Sequence, residues 1–378
     1  MKIGIVAGEK SGDYLGSELI QAIRSRYPDS EFVGLCGPLM QEQGAISLAE
    51  MDKISIMGLD GLLTGLPEII RIRRLLYKHF TNDPPDVFIG IDVPDFNLGL
   101  EKKLKKAGIK TVHYVSPTVW AWRGGRIKKI RAAVDLMLTL FPFEETYYQK
   151  QQVPVRYVGH PLAGQVMNWS VEPEFRNSLA AEDETLIAVL PGSRMSEVSR
   201  LAPEMIEASQ RLASTRPNLR FAIPAANAKI QSYLVDELKL DQNLVKIVEG
   251  RSRDLLAVSD LAILASGTAA LEAALFAKPM VVMYRMSWLT IAIFKRTLTV
   301  SHYSMPNHLT DPPAVPELVQ KAANADRLLL EVEKLLDDEA YFTSMQNALT
   351  DIAPMLSLDS GALACEAIEE LLAEHREA

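Results

Sequence analysis

Cysteine is nearly absent from this chain: Cys36 and Cys365 are the two thiols in 378 residues. A disulfide framework and a Cys-rich zinc site are thereby excluded, and a reducing compartment is the expected setting. No uninterrupted apolar run reaches the roughly 18 residues that a membrane-crossing helix needs. The nearest, 261–283, is broken by Glu272 and Lys278. The opening MKIGIVAG reads as a buried strand and not as a signal peptide, because no small-residue cleavage site follows it. Excess positive charge is missing as well. Forty basic residues face 48 acidic ones, a net charge of −8, so a general nucleic-acid footprint is not expected. None of the six histidines has a metal-site spacing such as HExxH, and no short repeat or low-complexity stretch occurs.

What is present is alternation. Short apolar runs at 2–7, 31–35, 86–91, 110–115, 135–140 and 155–158 read as strands, and the segments between them, such as 14–27 and 95–107, carry helical periodicity. A second series of strands follows at 185–190, 219–223, 244–248, 260–265 and 279–283. Between the series, 160–176 is poor in strand pattern and holds two prolines, the signature of a linker. The expected class is α/β with two Rossmann-like domains facing each other across a cleft. Ligands of such sheets bind beyond the carboxyl ends of the strands, so those loops are the places to search.

In the first series, Gly8-Glu9-Lys10-Ser11-Gly12-Asp13 follows the first strand, a tight turn opening a helix, with Ser11 or Asp13 as the alternative of a plain N-cap. Asp92, in Ile91-Asp92-Val93-Pro94-Asp95, sits between a strand end and a helix whose first position suits Pro94. It is either a base for a substrate hydroxyl or a cap. Trp120, Trp122, Arg123 and Arg126 combine aromatic faces with cations able to hold phosphate, or are ordinary core and solvated surface. His113 reads as a satisfied core residue, whereas His160, beside Pro161 at the linker, can reach a cleft.

In the second series, Ser193 and Arg194 end a strand, with Glu197 three residues on; Ser193 and Glu197 cap a helix, or Arg194 grips an anion. Ala265-Ser266-Gly267-Thr268 puts exposed amides and hydroxyls at a helix start, a cradle for a diphosphate, with Glu272 one turn on for ribose hydroxyls or the helix dipole. Arg285, Asn307, Glu317 and Gln320 occupy later loops, and Glu317 and Gln320 share a face near an expected helix start. The stretch 54–80 is different again. Met57, Leu59, Leu62, Leu63, Leu66, Ile69, Ile70, Ile72, Leu75 and Leu76 run through it, and the expected 67–79 helix has a wide apolar arc with Arg71, Arg74 and Lys78 opposite, as in helices that lie in an anionic membrane interface; a core helix is the alternative.

These motifs, in this order, resemble the lipid-A-disaccharide synthase family of glycosyltransferases over nearly the whole chain. The resemblance rests on GEKSGD at 8–13, CGPLM at 36–40, GIDVPDFN at 90–97, HYVSPTVWAWR at 113–123, GHPLA at 159–163, LPGSR at 190–194, ASGTAALE at 265–272, YRM at 284–286, PN at 306–307 and PELVQ at 316–320. It implies a GT-B architecture: an acceptor- and membrane-facing domain at 1–165, a UDP-sugar-binding domain at 166–344, and a tail from about 345 to 378 packing back on the first.

The implied reaction joins UDP-2,3-diacylglucosamine to 2,3-diacylglucosamine 1-phosphate (lipid X) with inversion, releasing UDP and leaving a β(1→6) disaccharide 1-phosphate. Asp92 would be the base. Ser193, Arg194, Ser266, Gly267, Thr268, Glu272, Arg285, Asn307, Glu317 and Gln320 would hold the UDP-sugar, and Glu9, Ser11, Trp120, Trp122, Arg123, Arg126 and His160 the acceptor or its phosphate. No cofactor and no metal are expected. The implied location is cytoplasmic, peripherally bound to the anionic inner face of the inner membrane. The rival readings are another GT-B enzyme, such as a UDP-N-acetylglucosamine 2-epimerase, and a non-catalytic UDP-sugar-binding protein, which fold alone does not dismiss.

Overall fold

The computed structural model describes residues 1–55, 62–122, 124–286 and 300–377. The chain divides into two compact units: Met1–Pro161 with the segment from Leu358, and a second unit running from Leu162 to Ser357.

The first unit is a seven-stranded sheet of order β3-β2-β1-β4-β5-β6-β7, built from β1 (Lys2–Ala7), β2 (Glu31–Leu35), β3 (Ile46–Ser47), β4 (Val87–Ile91), β5 (Lys110–Tyr114), β6 (Leu136–Thr139) and β7 (Val155–Tyr157). Every pairing is parallel. Parallel sheets carry helices on both faces, which is why β4 reads VFIGI and is buried throughout. One face packs Ile3, Ile5, Ile89 and Val112 against the helix Lys10–Arg26, and the other packs Val6 and Phe88 against Ile72, Leu76 and Phe80.

The second unit has six strands, β8 (Thr185–Leu190), β9 (Leu219–Ala225), β10 (Val245–Glu249), β11 (Leu261–Ala265), β12 (Met280–Tyr284) and β13 (Glu317–Val319), in the order β10-β9-β8-β11-β12-β13, again parallel. In both sheets the strand order reverses beside the first strand, and the loops at that reversal are where ligands of doubly wound folds bind. For the second unit these loops are 191–194 and 266–267, after β8 and β11.

The eleven expected strands are all present within a residue or two of their expected ends. The short edge strands β3 and β13 were not foreseen. Residues 317–320, expected at a helix start, are instead β13 and the turn after it. The expected linker holds two helices, Pro161–Met167 and Pro173–Leu179, each opening on its proline. The chain returns to the first unit at Leu358, later than the expected 345, because Met345, Leu349, Ile352 and Leu356 are buried within the second. The helix Ser360–Glu377 then inserts Ala364, Cys365 and Ile368 into the first unit's core, and Arg26 meets Glu366 and Glu369 at 2.7 and 2.9 Å.

The expected amphipathic helix forms over Leu62–Asn82. Its apolar arc splits into two faces: Ile72 and Leu76 are fully buried and Ile69 packs beside them, whereas Leu66, Ile70 and Leu75 are 52%, 39% and 40% exposed. Ile72 and Leu76, spaced four apart with Phe80, are therefore core and not membrane contacts. Arg74 is exposed, and Arg71 holds Glu68 at 2.7 Å. Met57 and Leu59 lie outside the described residues, as do the side chains of Leu62 and Leu63. Among the described residues no helix is long and apolar enough to cross a membrane.

Asp13 does not cap its own helix, whose N-cap is Glu9. Buried beneath Gly37, its carboxylate accepts the N–H of Leu39 at 2.9 Å and of Met40 at 3.1 Å, capping the neighbouring helix Pro38–Glu42 instead. Asp13→Ala strands a buried donor at Met40 and a partly buried one at Leu39 and should cost about 1–3 kcal/mol of stability, read as a lowered thermal midpoint.

Candidate functional site

The second unit's site is a cavity of about 470 Å³ at the reversal between β8 and β11. Its wall combines Gly192, Ser193, Arg194 and Glu197 after β8 with Ser266, Gly267, Thr268 and Glu272 after β11, and the ends of β9 and β10 close the remaining side with Pro224, Ala226, Gly250 and Ser252. Glycine is required at 192: its φ is 123°, and a Cβ would fall 2.7 Å from Glu197. At Gly267 the reason differs. A Cβ there meets nothing within 4 Å, so the missing side chain leaves room for a ligand beside the backbone.

The helix Thr268–Leu275 begins at this point, so its first N–H groups and the positive end of its dipole are available to an anion. Ser266 Oγ donates to the Tyr303 carbonyl at 2.7 Å, which fixes the turn. Across the cavity, Arg194 is the N-cap of the helix Met195–Thr215, and no side chain caps that helix, neither Ser193 nor Glu197. Its guanidinium is 80% exposed and only loosely paired with Glu197, at 3.5 Å, an interaction worth little in water. Such a cation can turn onto a phosphate.

Glu272 is held by a residue the sequence reading passed over. Arg253 donates from Nε and Nη2 to Glu272 Oε1 at 3.2 and 2.9 Å and from Nη1 to Gln165 Oε1 at 3.2 Å, and its guanidinium lies 4.8 Å from the Trp169 ring centre. The signal was present in Gly250-Arg251-Ser252-Arg253, at the carboxyl end of β10, where the strand-end rule applies as it does at 191 and 266.

Four expected residues make framework contacts. Glu317 accepts the N–H groups of Tyr303 and Ser304, the Ser304 hydroxyl and the Asn307 amide, while Asn307 also brackets Val315. Together they pin the loop 303–317 to β13. Arg285 donates to the carbonyls of Arg200 and Ala323 and to Glu204. Gln320, at φ 57°, accepts the Met286 N–H. None of the four lines the cavity.

The first unit's site, about 390 Å³, lies at the ends of β4 and β5 and is lined by Asp92, Asp95, Ser116, Thr118, Trp122 and Arg126 among others. Its backbone is its most unusual property. Asp92, Val93 and Val115 have φ of 51°, 42° and 79°, a region that costs a non-glycine residue about 1–3 kcal/mol and disfavours β-branched side chains most. Strain of this kind concentrates at functional positions. The N-cap of the helix Pro94–Lys106 is Val93, with no side-chain cap hydrogen bond, so Asp92 is not the N-cap residue of that helix. The Asp92 N–H donates to the Tyr114 carbonyl at 2.8 Å, tying the loop to β5.

Arg126 is paired with Asp95 at 2.6 Å. Trp122 Nε1 donates to Thr118 Oγ1, whereas Trp120 points away, donating to the buried Glu144 at 3.0 Å and standing edge-on to Phe143. Trp120 is thus a packing residue. Arg123 lies outside the described residues. Glu9 and Ser11 are exposed at the start of the helix after β1. His160 stacks obliquely on Phe141, and burial lowers its pKa to about 4, favouring the neutral imidazole. His113 and Glu101 form a fully buried pair at 2.7 Å, as expected of a core histidine. Among the described residues, no group of three or more His, Cys, Asp or Glu side chains is arranged to hold a metal ion.

The family model for lipid-A-disaccharide synthetase matches residues 3–356. Lipid-A-disaccharide synthase of Pseudomonas aeruginosa UCBPP-PA14 is 44% identical over 378 residues, covering 98% of both chains. That of Aeromonas hydrophila is 41% identical over 98% of both. Among solved structures, UDP-GlcNAc 2-epimerase from Neisseria meningitidis bound to UDP-GlcNAc superposes with a TM-score of 0.66 at 12% identity, over 99% of this chain and 100% of its own. CalG4, the calicheamicin glycosyltransferase, gives 0.61 at 14%, over 99% and 98%. At such identities the structural likeness establishes the fold, which is of the GT-B type.

Burial pushes Glu144 up to about 7, against hydrogen bonds from Ser116, Trp120 and the Phe141 N–H. The folded state therefore keeps a proton that the unfolded chain releases near its ordinary 4.5, and stability falls as pH rises between about 4.5 and 7, then levels. In thermal melts from pH 5 to 8, Glu144→Gln should flatten this decline and gain most over the parent at pH 8.

Proposed function

The chain belongs to the lipid-A-disaccharide synthetase family and is a glycosyltransferase, and from that premise we propose that it joins UDP-2,3-diacylglucosamine to lipid X in a single inverting displacement. The second unit takes the donor. Arg194 and the amides at 267–269 receive the diphosphate, and Glu272, oriented by Arg253, accepts from the ribose hydroxyls. The first unit supplies the base. Asp92 takes the proton from the acceptor 6-hydroxyl as its oxygen attacks the anomeric carbon; the bond to the diphosphate breaks and UDP leaves with the electron pair.

Charge developing on the leaving diphosphate meets donors already in place, so little reorganisation is needed as the bond breaks. The observation that carries the reading is the placement of Asp92: a carboxylate on a strained left-handed turn at a strand end, lining a cavity and not the N-cap of the helix that follows. The exposed Leu66, Ile70 and Leu75, with Arg71 and Arg74 on the same helix, suit an anionic lipid surface, where both acylated substrates reside.

The decisive assay is UDP release in detergent micelles from UDP-2,3-diacylglucosamine, with and without lipid X. Release should require lipid X and fall to a small residual rate in a folded Asp92→Asn variant. Release without acceptor would favour an epimerase-like or hydrolytic relative, and tight UDP binding without release a binding protein. Arg194→Ala should lose about 10²–10³ in kcat, or about 2.7–4 kcal/mol of barrier stabilisation. A Leu66→Ser, Ile70→Ser, Leu75→Ser triple variant should sediment less with anionic phospholipid vesicles while keeping its turnover in micelles.

A further inference from the structure

Beneath the Asp92 turn lies a buried polar layer that the reaction, as described, does not use. Asn97 and Glu101 stand one turn apart on the helix Pro94–Lys106, both fully buried and both facing the sheet. The strand residue opposite them is Gly90, where a Cβ would fall 2.1 Å from Glu101 Oε1 and 2.9 Å from Asn97 Cβ. A glycine there lets the helix come close enough to seat polar groups against β4. In register with Gly90 on β5 is His113, whose Nδ1 lies 2.7 Å from Glu101 Oε1. A buried ionisable pair is a poor way to fill a core, since apolar side chains of similar volume usually serve stability as well or better. Its presence here calls for another reason.

Asn97 supplies one. Its Nδ2 donates to the carbonyls of Ile91 at 3.2 Å and Asp92 at 2.8 Å, the two residues between which the chain leaves β4 and turns left-handed. The Val93 carbonyl also accepts the Asn97 N–H at 3.0 Å. Both hydrogens of one buried amide thus hold the turn from below, while the Tyr114 carbonyl holds the Asp92 N–H from the side. The turn is strained at Asp92 and at Val93, so without these bonds it would relax toward ordinary φ and carry the carboxylate away from the cavity. Tyr114 itself follows His113 directly, so the Glu101–His113 pair fixes the strand that supplies the second tether.

We propose that Asn97, backed by the buried Glu101–His113 pair, is a positioning residue that keeps the Asp92 carboxylate in reactive geometry. The proposal rests on the reading of Asp92 as the base and adds the device that holds it. Misplacing a reacting group by about 1 Å costs up to about 10²-fold in rate.

The test is steady-state turnover with UDP-2,3-diacylglucosamine and lipid X in micelles. Asn97→Ala should lower kcat about 10- to 100-fold, with KM for both substrates within twofold and UDP affinity, read by calorimetry, unchanged. Placed on Asp92→Asn, the same change should leave the residual rate where it was, because the group it positions is already disabled. Normal kcat in Asn97→Ala overturns the proposal, and so does a further multiplicative loss in the double variant, which would mean that Asn97 acts independently of Asp92. Should Asn97→Ala not fold, Asn97→Ser keeps one donor, and an intermediate kcat at unchanged KM is then expected; parental kcat would overturn the proposal. Full turnover in Asp92→Asn alone would remove the base assignment itself, an outcome distinct from failure of the network.

Discussion

The constraint on which the rest depends is that both sheets are parallel and covered on both faces. The interiors of the central strands are committed to packing, and backbone polar groups there are committed to the ladder. Chemistry is left only the carboxyl edge, where chains leave the strands and amides, carbonyls and short polar side chains are not yet spoken for. The two candidate sites follow from that single fact. They differ in what the edge supplies: in the second unit a helix start, small residues and a loosely paired arginine receive negative charge, and in the first a carboxylate on a strained turn accepts a proton.

The same constraint explains how much was legible beforehand. The central buried strands β1, β4, β8, β11 and β12 are near-continuous apolar runs and stood out for that reason, and the six others kept enough apolar residues to be seen despite interruptions such as Arg156, Arg220 and Lys246; β3 and β13, two and three residues long at the sheet edges, carry no such run. Gly192, Ser193, Arg194, Ser266, Gly267, Thr268 and Glu272 were readable because small residues cluster where strands give way to helices. The framework role of Glu317 and Asn307 was not, since a residue in a long loop reveals nothing about which amides will converge on it. Arg253 was hidden differently: its partners Gln165 and Trp169 lie more than eighty residues away in the chain.

The apolar arc of 54–80 shows where periodicity misleads. A wide arc suggested a single lipid-facing surface, yet the helix Leu62–Asn82 has two apolar faces, presenting Ile72, Leu76 and Phe80 to the core and Leu66, Ile70 and Leu75 outward. Breadth of the apolar arc measured the sum of a buried face and an exposed one. Only the packing separates them.

The return of the chain to the first unit has a consequence for biosynthesis. Ala364, Cys365, Ala367 and Ile368 belong to the same core as Ile3, Ile5 and Val112, although more than two hundred residues separate them. During synthesis the first sheet emerges early but leaves part of one face, beside the helix Lys10–Arg26, unsealed, and the second unit, which lies between Leu162 and Ser357, can close before the first does. The unit that begins the chain is therefore completed last, and until the helix from Ser360 has left the ribosome the uncovered part of that face is a surface for chaperones to guard.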